Sequence, residues 1–451
     1  MRVLIATPEY PPHAGGGILK YYRALAPVLA RQGCDVTVLV SAPTTPDFAD
    51  YTDEAVRVMC VRRRDSEARA DELAQFSAAP DFRRWLGGAL AAGDAAERLG
   101  PWDVIETVDF GLTFVPFVAA VHAAPVLVQM HGSLGQIADR EPARPDRLLD
   151  NTIARLAEAT LLPFASAHQT YATDNAREWE QRIGRPVTVC PPPMRALGPA
   201  GPSSTDGGIL VVGRIQTWKG PAVLCEALRH LPGTFPLVTW LGRDTATAPE
   251  GGSLSDHLAA VYPDVWSPRI TALGQQPFEA VQTRIAAARV VVVPSDWDVF
   301  NFGAAEAMSM KRVVVCSSGA GVSDLITHGR NGFVFRAGDA ESLAAALEAA
   351  VALPDDARAA MGREARDTIV TRLDPDIVAG ERLAQYQALV AGGAPARVGP
   401  ADWLREMFTS GGPQRVGPEF LDQMNVRDLS TYLGRRLRSR LIGRLGEGAG
   451  R

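Results

Sequence analysis

The chain has 451 residues, 46% hydrophobic and 22% charged, with a formal net charge of −5, the balance of an ordinary water-soluble globular protein. One hydrophobic core rarely organises so many residues, so two or more domains are expected. The acidic balance excludes a general nucleic-acid binder. The five cysteines, Cys34, Cys60, Cys190, Cys225 and Cys316, are odd in number and never spaced C-x-x-C, so neither a disulfide framework nor a zinc site is expected, and a reducing cytosol fits.

Residues 2–6 form an apolar run too short for a signal peptide and read as a first buried strand. Gly15, Gly16 and Gly17 precede a helix over about 18–31, with Leu19, Tyr22, Leu25, Ala26 and Leu29 on one face. Consecutive glycines before a helix let backbone N–H groups approach an anion. Most such clusters are turns, and the dinucleotide pattern G-x-G-x-x-G fails, because its last glycine would fall on Lys20. Further strands are predicted at 36–40, 56–61, 104–106 and 126–130, the last leading into His131-Gly132-Ser133. The apolar stretch 110–128 contains Pro116, His122 and Pro125, which fits a short helix and a strand better than a membrane span.

Nine of the eighteen positions 191–208 are Pro or Gly, the composition of an interdomain linker. Strand–helix alternation then restarts, with strands at 209–212, 237–241, 270–273, 290–293, 313–316 and 333–335 and helices at 340–351 and 354–373. The pattern predicts an α/β protein of two doubly wound, Rossmann-like domains facing a cleft, with ligands at the carboxyl ends of the strands. The second domain opens with Gly213-Arg214 and, five residues on, Lys219-Gly220. A guanidinium and an ammonium so placed, at a strand end and a helix start, can clamp a diphosphate from two sides. After the four valines 290–293 come Asp298 and, eight positions later, Glu306, carboxylates able to accept hydrogen bonds from vicinal sugar hydroxyls. Taken singly, each of these is as easily a solvated surface charge; their sequence order argues for a site.

Pro294, Ser295, Asp298, Phe300, Glu306, Ala307 and Met308, together with Gly213, Arg214, Lys219 and Gly220, resemble the donor-site signature of the retaining glycosyltransferase family 4, whose members have the GT-B fold. The resemblance covers roughly residues 1–390. It implies a first domain over 1–195, a linker over 196–208, a nucleotide-sugar-binding domain over 209–374, a helix 375–391 that crosses back, and a linker and basic helical extension over 392–451. It further implies retaining transfer of a sugar from a nucleotide-sugar, UDP-sugar favoured, to a hydroxyl of a glycan or glycolipid-type acceptor, with no cofactor and no metal. By resemblance, Arg214 and Lys219 hold the diphosphate, Glu306 the ribose and Asp298 the donor sugar. Gly16 and Gly17 would offer amides to phosphate, and His131 would sit at the reacting sugar. Gln276, Phe300, Asn301 and Phe302 would complete the donor pocket. The chain departs from the family pattern with Asp298 for Glu, Asp324 for Glu, Asn301 within the usual F-G-x, and Lys311 for the glycine after the helix. A nucleotide-sugar epimerase on the same fold and an inactive binding subunit are the alternatives.

Beyond the resemblance, Leu429, Leu433, Leu437, Leu441 and Leu445 recur every fourth residue, and from Arg427 onward seven arginines face only Asp428 and Glu447. A basic amphipathic helix over 427–451 could contact an anionic membrane surface peripherally. The ladder slants around the helix and brings Arg440 and Arg444 beneath it, which favours docking on the protein's own surface.

Overall fold

The computed structural model describes all residues except 13–14, 44–45, 121–123, 143–146, 199–206, 393–398, 412–425, 428, 432, 435–436 and 438–451. Among the described residues two sheets form. The first has strand order β3-β4-β2-β1-β5-β6-β7-β8, made of β1 (Arg2–Thr7), β2 (Asp35–Val40), β3 (Tyr51–Asp53), β4 (Val56–Cys60), β5 (Val104–Val108), β6 (Val126–Gln129), β7 (Ala167–Thr170) and β8 (Thr188–Val189). All neighbours are parallel except β3, which pairs antiparallel with β4 at the edge. The second sheet is parallel throughout, in the order β11-β10-β9-β12-β13-β14. Its strands are β9 (Ile209–Val212), β10 (Val238–Leu241), β11 (Ile270–Ala272), β12 (Val290–Val293), β13 (Val313–Ser317) and β14 (Phe333–Phe335). Helices cover both faces of each sheet, so central strands such as β1, β12 and β13 are buried almost end to end, as their unbroken apolar runs require.

Three strands of the first sheet, β3, β7 and β8, escape sequence patterning. β7 reads Ala-His-Gln-Thr, yet His168, Gln169 and Thr170 are buried. Hydrogen bonds make that tolerable for two of them: His168 Nε2 lies 2.7 Å from the Leu162 carbonyl, and Thr170 Oγ1 accepts from Asn175 at 2.6 Å. β8 has two exposed residues and no apolar signal at all.

The helix Pro375–Ala391 returns to the first domain and packs along the helix Gly17–Arg31. Arg382 is the bolt. It is fully buried, pairs with the equally buried Glu106 of β5, and donates to Tyr21 Oη at 2.6 Å and Gln129 Oε1 at 2.8 Å. Removing one partner of such a pair strands the other charge in the core, at about 3–5 kcal/mol. A further helix that patterning does not suggest, Asp402–Thr409, buries Leu404 and Phe408 against the first domain, with Phe408 stacked on Phe76 at 5.9 Å. Of the leucine ladder, Leu441 and Leu445 lie outside the described residues and Leu429 is half-buried. Of the leucines described, Leu433 and Leu437 are exposed, so at those two positions the expected docking on the protein's own surface is not seen.

Candidate functional site

The carboxyl ends of both sheets meet in a single cleft. From the first domain come the loop after β1, Asp109 after β5 and His131 after β6. From the second come Arg214 after β9, the loop 294–301 after β12 and the turn 318–320 after β13. The walls touch closely. A side-chain carbon on Gly132 would lie 3.2 Å from the Trp297 ring and 3.3 Å from Val299, and its φ is +106°, so only glycine fits there.

Four of the expected site residues come together on the second domain. Lys219 Nζ lies 2.5 Å from Asp298 Oδ2 in a mostly buried ion pair. Asn301 Nδ2 donates to the same oxygen at 2.9 Å. Asn301 also stands in the left-handed region, φ +82°, and its Oδ1 caps the helix Phe302–Ser309 by accepting from Ala304 N–H at 2.9 Å. That accounts for a departure from the family pattern. Asparagine tolerates the backbone conformation glycine would supply, and its amide reaches the shorter Asp298. Arg214 lies beside Arg243, Asp298, Glu141 and Glu9. Although the side chain is solvent-exposed, the crowding of the cleft around it lowers its pKa, Arg243 lowers it further, and the three carboxylates oppose them; the guanidinium stays charged throughout. Among the described residues Arg214 makes no ion pair or side-chain hydrogen bond.

Glu306, one turn into the helix Phe302–Ser309, is buried and bonded across the cleft to Lys20 Nζ, its Oε1 accepting. Lys20 is a site residue that sequence reasoning misses. Its position on the helix after the triple glycine is legible, but its partner 286 residues away is not. The Gly16 amide expected to meet phosphate is already engaged: Glu9 Oε2 accepts from Gly16 N–H at 2.7 Å and from Leu19 N–H at 3.3 Å. Gly17 abuts the Phe302 ring instead of open cleft; a side-chain carbon there would lie 3.3 Å from that ring.

His131 sits in an aromatic cage of Tyr21, Tyr22 and Tyr171. Its backbone N–H and that of Gly132 donate to the buried Asp109 carboxylate at 2.7 and 3.2 Å. Burial, with buried Arg382 nearby, pushes its pKa down to about 3, so the imidazole is neutral at ordinary pH. Tyr171 Oη lies 2.5 Å from its Nδ1. Burial raises the Tyr171 phenol well above its usual value, so the phenol keeps its proton. A phenol that donates to Nδ1 leaves the ring hydrogen on Nε2. Neither Tyr171 nor Asp109 carries a sequence signal.

Three expected donor-pocket residues make contacts within the protein. The Phe300 and Phe302 side chains are buried against Tyr171 at 5.8 and 6.4 Å between ring centroids, and against each other at 5.2 Å. Their rings pack the two domains together. Gln276, in the loop after β11, donates to the Leu273 carbonyl at 2.7 Å and so closes its own turn. Downstream, Asp324 accepts from Thr173 N–H at 2.7 Å, another bond between domains.

Comparison with known proteins agrees with this architecture. Residues 16–193 match a family profile described as a glycosyl transferase 4-like domain, and residues 206–352 match one described as glycosyl transferases group 1. The D-inositol 3-phosphate glycosyltransferase of Mycolicibacterium paratuberculosis is 31% identical over 378 residues, covering 78% of this chain and 80% of that protein. The sucrose-phosphate synthase of Thermosynechococcus elongatus superposes with a TM-score of 0.67 at 19% identity, over 87% of this chain and 99% of that one. Anabaena Alr3699/HepE in complex with UDP-glucose superposes with a TM-score of 0.57 at 17% identity, over 86% and 100%. With two α/β domains about one cleft and Arg214, Lys219, Asp298 and Glu306 on its second wall, the chain belongs to the group 1 glycosyltransferases and has their GT-B fold.

Proposed function

We propose that the protein is a retaining glycosyltransferase that moves a sugar from a UDP-sugar to a hydroxyl of a glycan or glycolipid-type acceptor. The observation carrying this reading is the convergence of Arg214, Lys219, Asp298 and Glu306 on one wall, opposite His131 on the other. Arg214 and Lys219 take the diphosphate and stabilise the charge it gains on leaving. Glu306 Oε1 is held by Lys20, and its other oxygen accepts from a ribose hydroxyl. Asp298, fixed by Lys219 and Asn301, accepts from a hydroxyl of the transferred sugar. His131 presents its Nε2–H to that sugar as a neutral donor.

Transfer breaks the bond from the anomeric carbon to the diphosphate oxygen and forms one to the acceptor oxygen on the same face. The acceptor's proton passes to the departing diphosphate, so no protein nucleophile is needed. Arg214 and Lys219 supply the fixed positive charge a divalent cation would otherwise bring. The two acids of Asp296-Trp297-Asp298 also diverge: Asp296 lies against the Gly338 amide, whereas Asp298 faces Lys219. UDP-glucose bound to the HepE protein supports the choice of donor class. The test is UDP release from a panel of UDP-sugars with and without acceptor, in EDTA, followed by NMR of the product's anomeric centre. Acceptor-dependent release with retained configuration is expected. Release without acceptor, inversion, or loss of activity restored by Mn²⁺ would each refute the corresponding element.

A further inference from the structure

Adjacent parallel strands β9 and β10 both end in Gly-Arg, as Gly213-Arg214 and Gly242-Arg243. Their register pairs Val212 with Leu241 and runs on past the strand ends. Gly213 N–H donates to the Leu241 carbonyl at 2.9 Å, and Ile215 N–H donates to the Arg243 carbonyl at 3.0 Å. The two arginines therefore stand directly opposite each other. The turns that carry them are nested: a side-chain carbon on Gly242 would come within 1.9 Å of the Gly213 carbonyl oxygen.

Like charges facing each other on neighbouring strands repel. Two other arginines of the second domain, Arg229 and Arg269, are pinned by partners. Arg229 forks onto Asp264 at 2.6 and 2.9 Å, and Arg269 binds the carbonyls of Leu231 and Pro232 at 3.2 and 2.9 Å. Arg214 and Arg243 are exposed and, among the described residues, neither side chain has an ion pair or hydrogen bond. The adjacent acid does not neutralise them. Asp244 accepts from Ser253 Oγ at 2.6 Å and from the Thr245 and Ser255 amides at 2.9 and 3.1 Å, all within its own loop. Two guanidinium groups on facing strand ends, with Asp298, Glu141 and Glu9 near Arg214 but no carboxylate bonded to either, match an anion with several oxygens and more than one negative charge.

We propose that Arg243 and Arg214 together form a paired-guanidinium site for a phosphoryl group, with Arg243 as a specificity residue outside the Arg214–Lys219 clamp. The proposal rests on the nucleotide-sugar reading above. The phosphoryl group has two sources, the donor's diphosphate or a phosphate carried by the acceptor, and one experiment separates them. UDP is titrated calorimetrically into wild type, Arg243→Ala, Arg243→Lys and Arg214→Ala. Glucose 6-phosphate and inorganic phosphate are then titrated into each UDP-saturated protein.

A roughly tenfold or greater loss of UDP affinity in Arg243→Ala, partly restored by lysine, assigns the site to the donor. Unchanged UDP affinity with loss of the second anion assigns it to the acceptor. The melting temperature of Arg243→Ala without ligand, at low salt, should be equal to or above wild type, because repulsion is relieved; a residue with a purely structural role would lower it. If Arg214→Ala weakens UDP while Arg243→Ala changes neither titration, the paired site is overturned and the functional reading stands. If wild type binds neither UDP nor the sugar phosphate, both fall together.

Discussion

On the first-domain wall of the cleft, burial drives ionisable groups toward their neutral forms. His131 is pushed down to about 3, Asp109 up to about 7 and Glu158 up to about 8, and the phenols of Tyr21, Tyr22 and Tyr171 are all raised. On the second-domain wall the acids are ion-paired, Asp298 with Lys219 of the same wall and Glu306 across the cleft with Lys20, and Arg214 stands beside Arg243. One wall therefore works by oriented hydrogen bonds and the other by Coulomb attraction. That division suits a reaction whose leaving group is highly charged and whose sugar is not. Substitutions on the charged wall should change nucleotide affinity most, and those on the neutral wall should change turnover while sparing it.

The largest effect is expected from Lys219→Ala and Arg214→Ala. Each removes a charge-assisted bond to phosphate, so UDP affinity should fall ten- to a hundredfold, about 1.5–3 kcal/mol. Lys219→Ala also leaves Asp298 without its cation and should be the worse of the two. Calorimetry with UDP decides, and unchanged affinity in both would dissolve the charged wall as a nucleotide site. Asp298→Asn sharpens the contrast within that wall. It keeps the shape, removes the acceptor charge and frees Lys219. Thus kcat/KM should drop at least ~10-fold, equivalent to ~1.4 kcal/mol, while UDP binds as well as before or better. Equal damage to UDP binding would make Asp298 a support for Lys219 and not a sugar contact.

On the neutral wall, Tyr171→Phe deletes the hydroxyl bonded to His131 Nδ1. A neutral hydrogen bond contributes about 1 kcal/mol, so kcat should fall about fivefold with UDP affinity unchanged. Because His131 is held near 3, the wild-type rate should show no limb near the ordinary histidine value of about 6.5. A kcat limb there that vanishes in His131→Gln would mean the imidazole titrates and the wall is not neutral.

The charged wall is the readable one. Arg214 and Lys219 are five residues apart, and Asp298 and Glu306 eight, so local spacing alone displays them. The neutral wall is assembled from strand ends remote in sequence. His131 follows an apolar strand and can be singled out, whereas Tyr171 follows β7, whose buried polar residues hide it from any hydrophobic pattern. The alternation of apolar strands and helices displays both sheets but not the edges β3 and β8, which lack a long apolar run. Phe300 and Phe302 carry a role the signature does not display: their rings join the domains by packing on Tyr171.

Glu158 gives the neutral wall a signature in stability. Its carboxylate accepts from Gly135 N–H at 3.0 Å and Ser133 Oγ at 2.8 Å. Its folded pKa of about 8 lies above the ordinary 4.5. Its stabilisation is thus fully present below the unfolded value and is lost as pH rises through 8. His131 has the opposite sign, adding stability as pH rises from about 3 to 6.5, so it no longer contributes to the slope above that range. Between about pH 6.5 and 8.5 the melting temperature should decline, and Glu158→Gln, which keeps the shape without the titration, should flatten that decline. An identical slope in both proteins would remove Glu158 as its origin.

The smallest effect concerns Lys311, which stands where the family pattern has glycine and belongs to the charged half by sequence alone. Its φ is +62°, in the left-handed region that costs an ordinary L-residue roughly 1–2 kcal/mol. The turn ends the helix Phe302–Ser309 and starts β13, and the helix Asp355–Arg372 lies close against it. A side-chain carbon on Gly362 would come within 2.4 Å of the Lys311 carbonyl oxygen. The backbone is thus held in this conformation whatever the side chain. Glycine there relieves the strain but has more freedom to lose on folding, so Lys311→Gly should stabilise by a net ~0.5–1 kcal/mol. Lys311→Ala keeps the strained Cβ and should gain nothing, which separates backbone relief from loss of the ammonium. UDP affinity should be the same in all three proteins. A gain in alanine equal to that in glycine would refute the strain argument, and a loss of UDP affinity in both would move Lys311 onto the charged wall.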